Sequence, residues 1–348
     1  MQSLPYECRT EHVMPILIFG AEKYSQFRTL MPGIILSVVL AFAATFISDH
    51  HGGPTLLYAL LFGMSLNSLI EGSSAKPGIE FTGRTVLRIG VALLGARIGL
   101  DQISQLGLNS TLILVLAVIV TIISGVLLAR LFGFDKRFGL LTGGSTAICG
   151  ASAALAISAA MPPSENRERT TLFAVVAVTT LSTMAMILYP PFALWLNMSP
   201  EESGFFIGGT IHDVAQVVGA GYSISPEAGD SATVAKLFRV ALLVPITLFV
   251  TTIFKQTSQN KVKAYLPPLF LIGFIAFTGL SSTGLLSEQI IYQLSELSRW
   301  CLVTAIAAVG LKTSLRDVLQ VGHQALILVV VETLIIAGII VASIFLMR

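Results

Sequence analysis

Charge is the scarcest property of this sequence. Lys, Arg, Asp and Glu together make up 11% of its 348 residues, whereas an ordinary soluble domain carries about 25%. A water-exposed surface on a chain of this length needs more polar groups than that, so most of the surface is expected to face lipid. The 54% of hydrophobic residues and the mean hydropathy of +0.83 agree with this expectation.

Cysteine and basic runs are also scarce, and each scarcity argues against a class of protein. Cys8, Cys149 and Cys301 are too few and too scattered for a disulfide framework or a zinc site. A net charge of +2 without a basic run argues against nucleic acid as a partner. Because no P-loop, metal-type His/Cys cluster or nucleophile elbow is found, the sequence predicts no enzyme, no cofactor and no metal.

Long apolar segments predict the fold class, an all-α polytopic membrane protein. A membrane helix needs about 20 apolar residues. Residues 1–28 are interpreted as a polar, cytoplasmic or interfacial lead that lacks the form of a secretory signal, and residues 29–348 as one transmembrane transport domain. Eleven apolar segments qualify as candidate spans, near 30–48, 54–71, 84–100, 108–132, 138–161, 170–198, 203–224, 233–254, 265–281, 289–311 and 322–347.

The placement of Lys and Arg predicts the orientation of the chain. Lys23 and Arg28 precede the first span, whereas the next connection, from Asp49 to Pro54, holds neither Lys nor Arg. Cytoplasmic connections are enriched in Lys and Arg. The N-terminus is therefore predicted to be cytoplasmic.

A shift of 215 residues reveals a candidate internal repeat. It places Arg84 on Arg299 and Gly95 on Gly310, among other polar and glycine matches. The loops that close the two copies are predicted on opposite sides of the membrane. The copies would then be inverted, which is a feature of secondary transporters.

Two apolar segments contain Gly-Gly followed by a hydroxyl residue: Gly143 and Gly144 in one, Gly208 and Gly209 in the other. Glycine inside a helix costs ~1 kcal/mol relative to alanine, so each pair predicts an interruption, with a half-helix that begins after Gly144 or Gly209. Unwound backbone at membrane depth is tolerated where it lines a cavity. The positive end of such a half-helix favours an anion. The alternative is that the small residues simply allow close helix packing.

The predicted substrate or ion site is formed by the two Gly-Gly segments and the apolar segment near 233–254. Ionisable residues inside membrane segments are rare and usually functional, which draws attention to His212 and Asp213. Lys236 and Arg239 are interpreted either as part of an anion site or as cations that snorkel to the interface. The candidate binding residues are Gly143, Gly144, Ser145, Thr146, Cys149, Gly150, Gly208, Gly209, Thr210, His212, Asp213, Gln216, Lys236 and Arg239.

The sequence leaves two topologies open. If both Gly-Gly segments span the membrane, Arg167 and Arg169 lie outside, against the positive-inside tendency. If both re-enter, those arginines move to the cytoplasm. Nine spans with two re-entrant hairpins and eleven spans with two broken helices are both compatible with the pattern. Glu332 lies inside the last span and is one of the few charges that topology does not explain. The alternative to a functional role is a buried pair with a cation on a neighbouring helix, whose identity the sequence does not give.

At GGSTAICGASAALAIS, GGTIHDVAQVVGAG and AKLFRVALLVP, the sequence resembles the YeiH-like family of bacterial inner-membrane proteins, which are labelled sulfate exporters. The resemblance extends from about Met31 to the end. It implies the cation–proton antiporter and anion transporter superfamily, with inverted repeats and crossing discontinuous helices. In that superfamily the broken helices occupy equivalent places in the two halves, whereas here one segment separates them. The resemblance places near the cavity Ser145, Thr146, Cys149, His212, Asp213 and Gln216.

These features together predict a secondary carrier that exports a small anion, such as sulfate, sulfite or an organosulfonate, across the bacterial inner membrane. Coupling to H⁺ or Na⁺ through Asp213 or His212 is a further hypothesis. The alternative is a cation–proton antiporter or ion channel. Such a protein would hold paired carboxylates where its broken helices cross, whereas the two Gly-Gly segments offer a single one, Asp213. A non-transporting sensor would normally carry a signalling domain. The expected partners are the anion, the coupling ion and the lipid bilayer, and assembly into a homo-oligomer is left open.

Overall fold

The computed structural model describes residues 14–70, 72–98, 107–162, 167–254, 268–313 and 323–348. These ranges form α-helices and one π-helical turn, Thr82–Val86, and contain no β-strand, so the all-α class is confirmed. The α-helices are α1 (Met14–His51), α2 (Thr55–Ser65), α3 (Asn67–Ile70), α4 (Lys76–Phe81), α5 (Leu87–Leu94), α6 (Gly107–Leu131), α7 (Lys136–Ala147), α8 (Ala151–Ala160), α9 (Arg167–Trp195), α10 (Pro200–Thr210), α11 (Val214–Ile224), α12 (Pro226–Ala241), α13 (Leu243–Ile253), α14 (Leu269–Ser282), α15 (Glu288–Lys312) and α16 (His323–Met347).

Six helical stretches of the described chain are long and apolar enough to cross a membrane by themselves. They lie in α1, α6, α9, the consecutive α12 and α13, α15 and α16. On α6, Leu112 and Leu116 are more than half exposed, whereas Thr121 and Gly125 are buried. A long exposed apolar stripe would be unstable in water. The stripe therefore faces lipid, and the protein is embedded in a membrane.

Each of the eleven apolar segments falls on one or two of these helices. The first helix begins earlier than the sequence pattern indicates. It starts at Met14, within the predicted lead of residues 1–28. Residues 1–13 lie outside the described part of the chain, as does the Lys-rich connection that begins at Lys255.

The interruptions in the two Gly-Gly segments lie beyond the glycine pairs, which corrects the predicted starts of the half-helices. The second half-helices begin at α8 and α11, and Gly144 and Gly209 lie inside α7 and α10. Close packing explains why the glycines remain helical. A Cβ on Gly208 would lie 2.3 Å from the Ala232 carbonyl oxygen of α12, so the pairs allow neighbouring backbones to approach.

α7 and α8 form a hairpin that enters and leaves the bundle at the same end. The ring of Phe138, in the first turn of α7, has its centroid 5.6 Å from that of Phe173, near the start of α9. The hydroxyl oxygen of Ser158, near the end of α8, lies 2.7 Å from that of Thr171 on α9. Both legs of the hairpin therefore reach the beginning of α9, so the hairpin re-enters.

α10 and α11 form a second hairpin, which enters from the opposite end. A Cβ on Gly204, near the start of α10, would meet Ser231 of α12, and one on Gly221, near the end of α11, would meet Gly229 of α12. Both legs reach the beginning of α12. Because α9 runs from one end of the bundle to the other between the hairpins, they enter from opposite ends. Of the two topologies compatible with the sequence, the contacts favour the re-entrant one.

The two ends of the bundle differ in charge. Where the first hairpin enters, Arg137 and Arg167 line one cavity; we call this the basic end. Where the second hairpin enters, Glu201, Glu202 and Glu227 line another; we call this the acidic end. The positive-inside tendency predicts that the basic end faces the cytoplasm.

The two copies of the candidate repeat pack on each other in opposite directions. A Cβ on Gly83 would lie 3.7 Å from a Val309 methyl carbon, and one on Gly90 would lie 3.0 Å from the Cys301 Cβ. As the residue number increases along the first copy, the number of the residue that it contacts in the second copy decreases. An inverted repeat requires antiparallel copies, but the repeat itself stays a prediction, and the loops that close both copies lie outside the described residues.

Candidate functional site

The tips of the two hairpins meet inside the bundle. In the first tip, Gly150 has φ +61°, a conformation that L side chains rarely adopt. A Cβ at this position would lie 2.5 Å from the Asp213 Oδ1 atom of the second tip. Glycine is therefore required at position 150 by both the backbone angle and the contact.

Lys236 of α12 binds the carbonyl groups that follow both first half-helices. Its Nζ atom donates to the Ile148 oxygen at 2.6 Å, to the Ile211 oxygen at 2.9 Å and also to the His212 oxygen. The side chain is fully buried. The negative charge of the half-helix ends is thus opposed by a cation, and the ammonium group joins the two hairpins.

Arg239, one turn further along α12, does the same with its guanidinium group. It donates to the oxygens of Thr146 at 2.9 Å and Ala147 at 2.8 Å in the first hairpin, and to those of Gly208 and Ile211, both at 3.0 Å, in the second. The side chain is fully buried. Snorkelling to the membrane interface, one of the two alternatives for these residues, is therefore not what Lys236 and Arg239 do. Both are buried and donate hydrogen bonds to backbone carbonyls.

A second buried cluster contains His212 and Glu332. The His212 Nδ1 atom lies 3.0 Å from the Thr146 carbonyl oxygen, so Nδ1 donates, and Nε2 lies 3.0 Å from the Thr333 hydroxyl. Glu332 accepts hydrogen bonds from the Thr142 and Thr146 hydroxyls at 2.7 and 3.1 Å. The alternative in which Glu332 pairs with a cation is therefore not the arrangement found: within the described residues Glu332 is bound by two hydroxyl groups of α7.

A cavity of about 360 Å³ faces the amino ends of both second half-helices. Its wall includes Ala151 and Ser152 from the first turn of α8, and Val214, Ala215 and Gln216 from the first turn of α11. First-turn amides have no acceptor within their own helix and form the positive end of the helix dipole. Two positive helix ends therefore converge on one cavity.

Two polar side chains lie between these helix ends. Asp213 precedes α11, and its carboxylate accepts hydrogen bonds from the Ala151 amide and, at 3.2 Å, from the Thr179 hydroxyl. Gln216 is 1% exposed, and its Oε1 atom has no hydrogen-bond partner among the described residues. Buried polar atoms are normally paired. The Gln216 Nε2 atom donates to the Thr183 hydroxyl at 3.3 Å, so the unpaired Oε1 atom leaves an acceptor for a ligand's hydrogen-bond donor.

Three cations complete the cavity wall: Arg84, Arg88 and Lys312. From the sequence, Arg84 is a member of the candidate repeat, and neither Arg84 nor Arg88 is among the predicted site residues. Arg84 and Arg88 are four residues apart, at the spacing that places two side chains on one helix face. That spacing is the one sequence signal that could have marked them as a pair.

The structure brings some of the predicted site residues to the cavity and places the others behind it. Within the described chain, no three His, Cys, Asp or Glu side chains come together in a metal-binding group. Gly150 and His212 belong to the hairpin tips, and Lys236 and Arg239 join the tips. Residues of α7 and α10 form the helix walls behind the tips: Gly143, Gly144, Ser145, Thr146, Gly208, Gly209 and Thr210. The predicted residues that line the cavity are Cys149, Asp213 and Gln216.

Fold and site together define the class, a multi-pass membrane protein with transporter-like architecture, in which two re-entrant hairpins meet beside a central cavity. The family model described as "Conserved hypothetical protein 698" matches residues 32–329, and the chain belongs to this family. The resemblance to the YeiH-like family agrees with this membership.

Three relatives cover nearly the whole chain. The UPF0324 membrane protein of Chlorobaculum tepidum is 48% identical over 323 residues, which are 92% of this chain and 90% of the relative. The UPF0324 membrane protein TauZ of Paracoccus pantotrophus is 48% identical over 321 residues, 91% of this chain and 95% of the relative. A UPF0324 membrane protein of Rhizobium meliloti is 47% identical and covers 91% of this chain and 93% of its own length.

Proposed function

We propose that this protein is a secondary carrier that exports a small anion across the bacterial inner membrane. The observation that carries the proposal is the cavity at the amino ends of α8 and α11. Helix amino ends attract negative charge through their free amides and their dipoles. Arg84, Arg88 and Lys312 add three positive charges to the same wall.

The charge of the cavity supports an anion over a cation as substrate. Against three cations, one carboxylate among the described residues lines the cavity, that of Asp213. Glu332 is bound by hydroxyl groups of α7 and is not part of the wall. Cation antiporters and cation channels place carboxylates along the ion path. In this cavity, by contrast, cationic side chains outnumber carboxylates.

The size and lining of the cavity support a small anion with an apolar part. Small-molecule sites measure roughly 300–1,000 Å³, and this cavity, at about 360 Å³, lies at the low end. Apart from the charged groups, its wall holds Leu87, Leu155, Val175 and Phe270. An organosulfonate combines an oxyanion head with a carbon chain and matches both parts of the wall. Sulfate and sulfite would use the polar part alone.

The predicted orientation of the chain supports export as the proposed direction of transport. If the basic end faces the cytoplasm, as the positive-inside tendency predicts, the N-terminus is cytoplasmic. The three cations of the cavity wall would then attract anions from the cytoplasm. Transport of this kind needs no chemical step, and we propose that the protein is not an enzyme.

Binding of candidate anions to the purified protein tests the proposal. Sulfate, sulfite, methanesulfonate and 2-hydroxyethanesulfonate are titrated calorimetrically. At least one is expected to bind, and Lys312→Met is expected to weaken its binding roughly tenfold, or about 1.4 kcal/mol. Lys76→Met is the matched control, because Lys76 is an exposed lysine at the start of α4 that does not line the cavity. Equal losses in both variants, or no binding of any anion, would contradict the proposal.

A further inference from the structure

The amino end of α8 already holds a negative group, the carboxylate of Asp213. The Ala151 amide donates to this carboxylate, and Gly150, which precedes the helix, is in direct contact with it. The carboxylate comes from the other hairpin, so it reaches the helix end as a ligand would. An anion at a helix amino end is stabilised in the same way whether it is a side chain or a substrate.

The groups around Asp213 are two cations, a thiol and hydroxyls. Lys236 of α12 and Lys312 of α15 act on its charge, and Cys149 of the first tip faces it. From α9, Thr179 donates to the Oδ2 atom at 3.2 Å. Arg84 and Arg88 lie further along the cavity wall. The neighbouring His212 is turned away, with both ring nitrogens bonded to Thr146 and Thr333.

Like charges repel strongly in a poorly hydrated site. A substrate anion that approaches the Ala151 amide meets the ionised carboxylate and competes with it for the same donor. If the carboxylate takes up a proton, the repulsion disappears and the amide is free for the substrate. Lys236 and Lys312 remain close by to balance the charge of the substrate.

We propose that Asp213 must take up a proton before the substrate anion binds at the amino end of α8, so that one proton and one anion move together. This inference rests on the proposed anion carrier. The proton comes from water in the cavity, forms an O–H bond on the carboxylate, and returns to water when the anion leaves. Net export then requires an outward anion gradient that exceeds the inward proton gradient.

The pH dependence of anion binding tests the inference. Methanesulfonate is a suitable probe because its charge is constant over the working range, from about pH 5 to about pH 9. The wild-type affinity should fall about tenfold per pH unit once Asp213 is ionised. Asp213→Asn mimics the protonated group and is nearly the same size as it, so its affinity should stay constant across this range. Glu332→Gln, which changes a buried carboxylate outside the cavity wall, should keep the wild-type pH dependence.

Three outcomes would overturn the inference: a wild-type affinity that does not change with pH, an Asp213→Asn profile parallel to the wild type, or loss of the pH dependence in Glu332→Gln. If Asp213→Asn does not fold, Thr179→Val gives the answer, because it removes a donor to the ionised carboxylate. Its binding should persist to higher pH than in the wild type, and an unchanged profile would count against the inference. Failure of all four anions to bind at any pH would instead remove the proposed function itself.

Discussion

At the scale of single residues, the site depends on contacts between parts of the chain that are distant in sequence. Asp213 touches Gly150 in the other hairpin, and Lys236 and Arg239 bind carbonyl groups of both. Each of these three side chains therefore connects two elements of the structure. Substitutions here are expected to change binding and stability together.

Gly150→Ala is expected to abolish anion binding and to lower stability. The φ of +61° costs an alanine about 1 kcal/mol, and the new Cβ would also displace the Asp213 carboxylate. Gly284→Ala is the matched control, since Gly284 has φ +73° with no heavy atom within 4 Å of an added Cβ. Thermal unfolding in detergent should show a larger loss for Gly150→Ala. Equal losses, with binding intact in both variants, would contradict the proposed contact.

Lys236→Met is expected to destabilise the protein by about 3 kcal/mol, because removal of one partner leaves buried polar groups uncompensated. The Ile148, Ile211 and His212 carbonyls would lose a shared donor. The measurement is the midpoint of thermal unfolding in detergent, with Lys76→Met as the exposed control. A midpoint within the error of the wild type would show that the ammonium group does not hold the hairpins together.

At the scale of elements, the sequence located the helices better than it located their interruptions. Hydrophobic length was sufficient to find eleven segments, because lipid imposes a fixed span on each helix. The glycine pairs marked the correct two segments, but the break follows them. Gly143 and Gly208 serve close packing against α6 and α12, and a sequence does not distinguish a packing glycine from one that ends a helix.

The partners of the buried charges could not be predicted for a related reason. Lys236 and Arg239 are bound by backbone carbonyls, which every residue possesses and which carry no sequence signal. The partners of Glu332 are threonines 190 and 186 residues away in the chain. Arg84, Arg88 and Lys312 reach the cavity through packing between helices, so their role became visible only in three dimensions.

The re-entrant hairpins predict which positions share a side of the membrane. In a background without the native cysteines, Asp135→Cys and Arg167→Cys flank the first hairpin at exposed positions. A membrane-impermeant thiol reagent should label both from one side. Glu201→Cys and Glu227→Cys, which flank the start and the end of the second hairpin, should both label from the other side. Labelling of Asp135→Cys and Arg167→Cys from opposite sides would restore the eleven-span topology.

In the molecule as a whole, a charged contact joins several helices at the acidic end. There, an Arg97 nitrogen lies 3.4 Å from an Asp230 carboxylate oxygen and Arg97 stands over the Tyr222 ring, while the Tyr222 hydroxyl donates to Asp230. These residues join the end of the α5 region to α11 and α12. A carrier with alternating access must break such contacts when it opens at the acidic end.

Arg97→Gln is expected to favour opening at the acidic end by about 1 kcal/mol, or roughly fivefold. The measurement is the rate at which a thiol reagent applied from that side labels Ser152→Cys, an exposed position in the cavity wall. Arg299→Gln is the control, since Arg299 pairs with Glu296 on its own helix and joins no two elements. An unchanged rate in Arg97→Gln, or an equal rise in the control, would exclude the contact as a closing device.

We propose that a small anion crosses the membrane through the cavity between α8 and α11. The most direct test is uptake of radiolabelled sulfate and methanesulfonate into proteoliposomes under an imposed anion gradient. The wild-type protein should give saturable uptake of at least one anion above that of empty liposomes. Lys312→Met should lose most of this uptake and Lys76→Met should retain it. If neither anion enters faster than into empty liposomes, or if Lys312→Met transports as well as the wild type, the claim is contradicted.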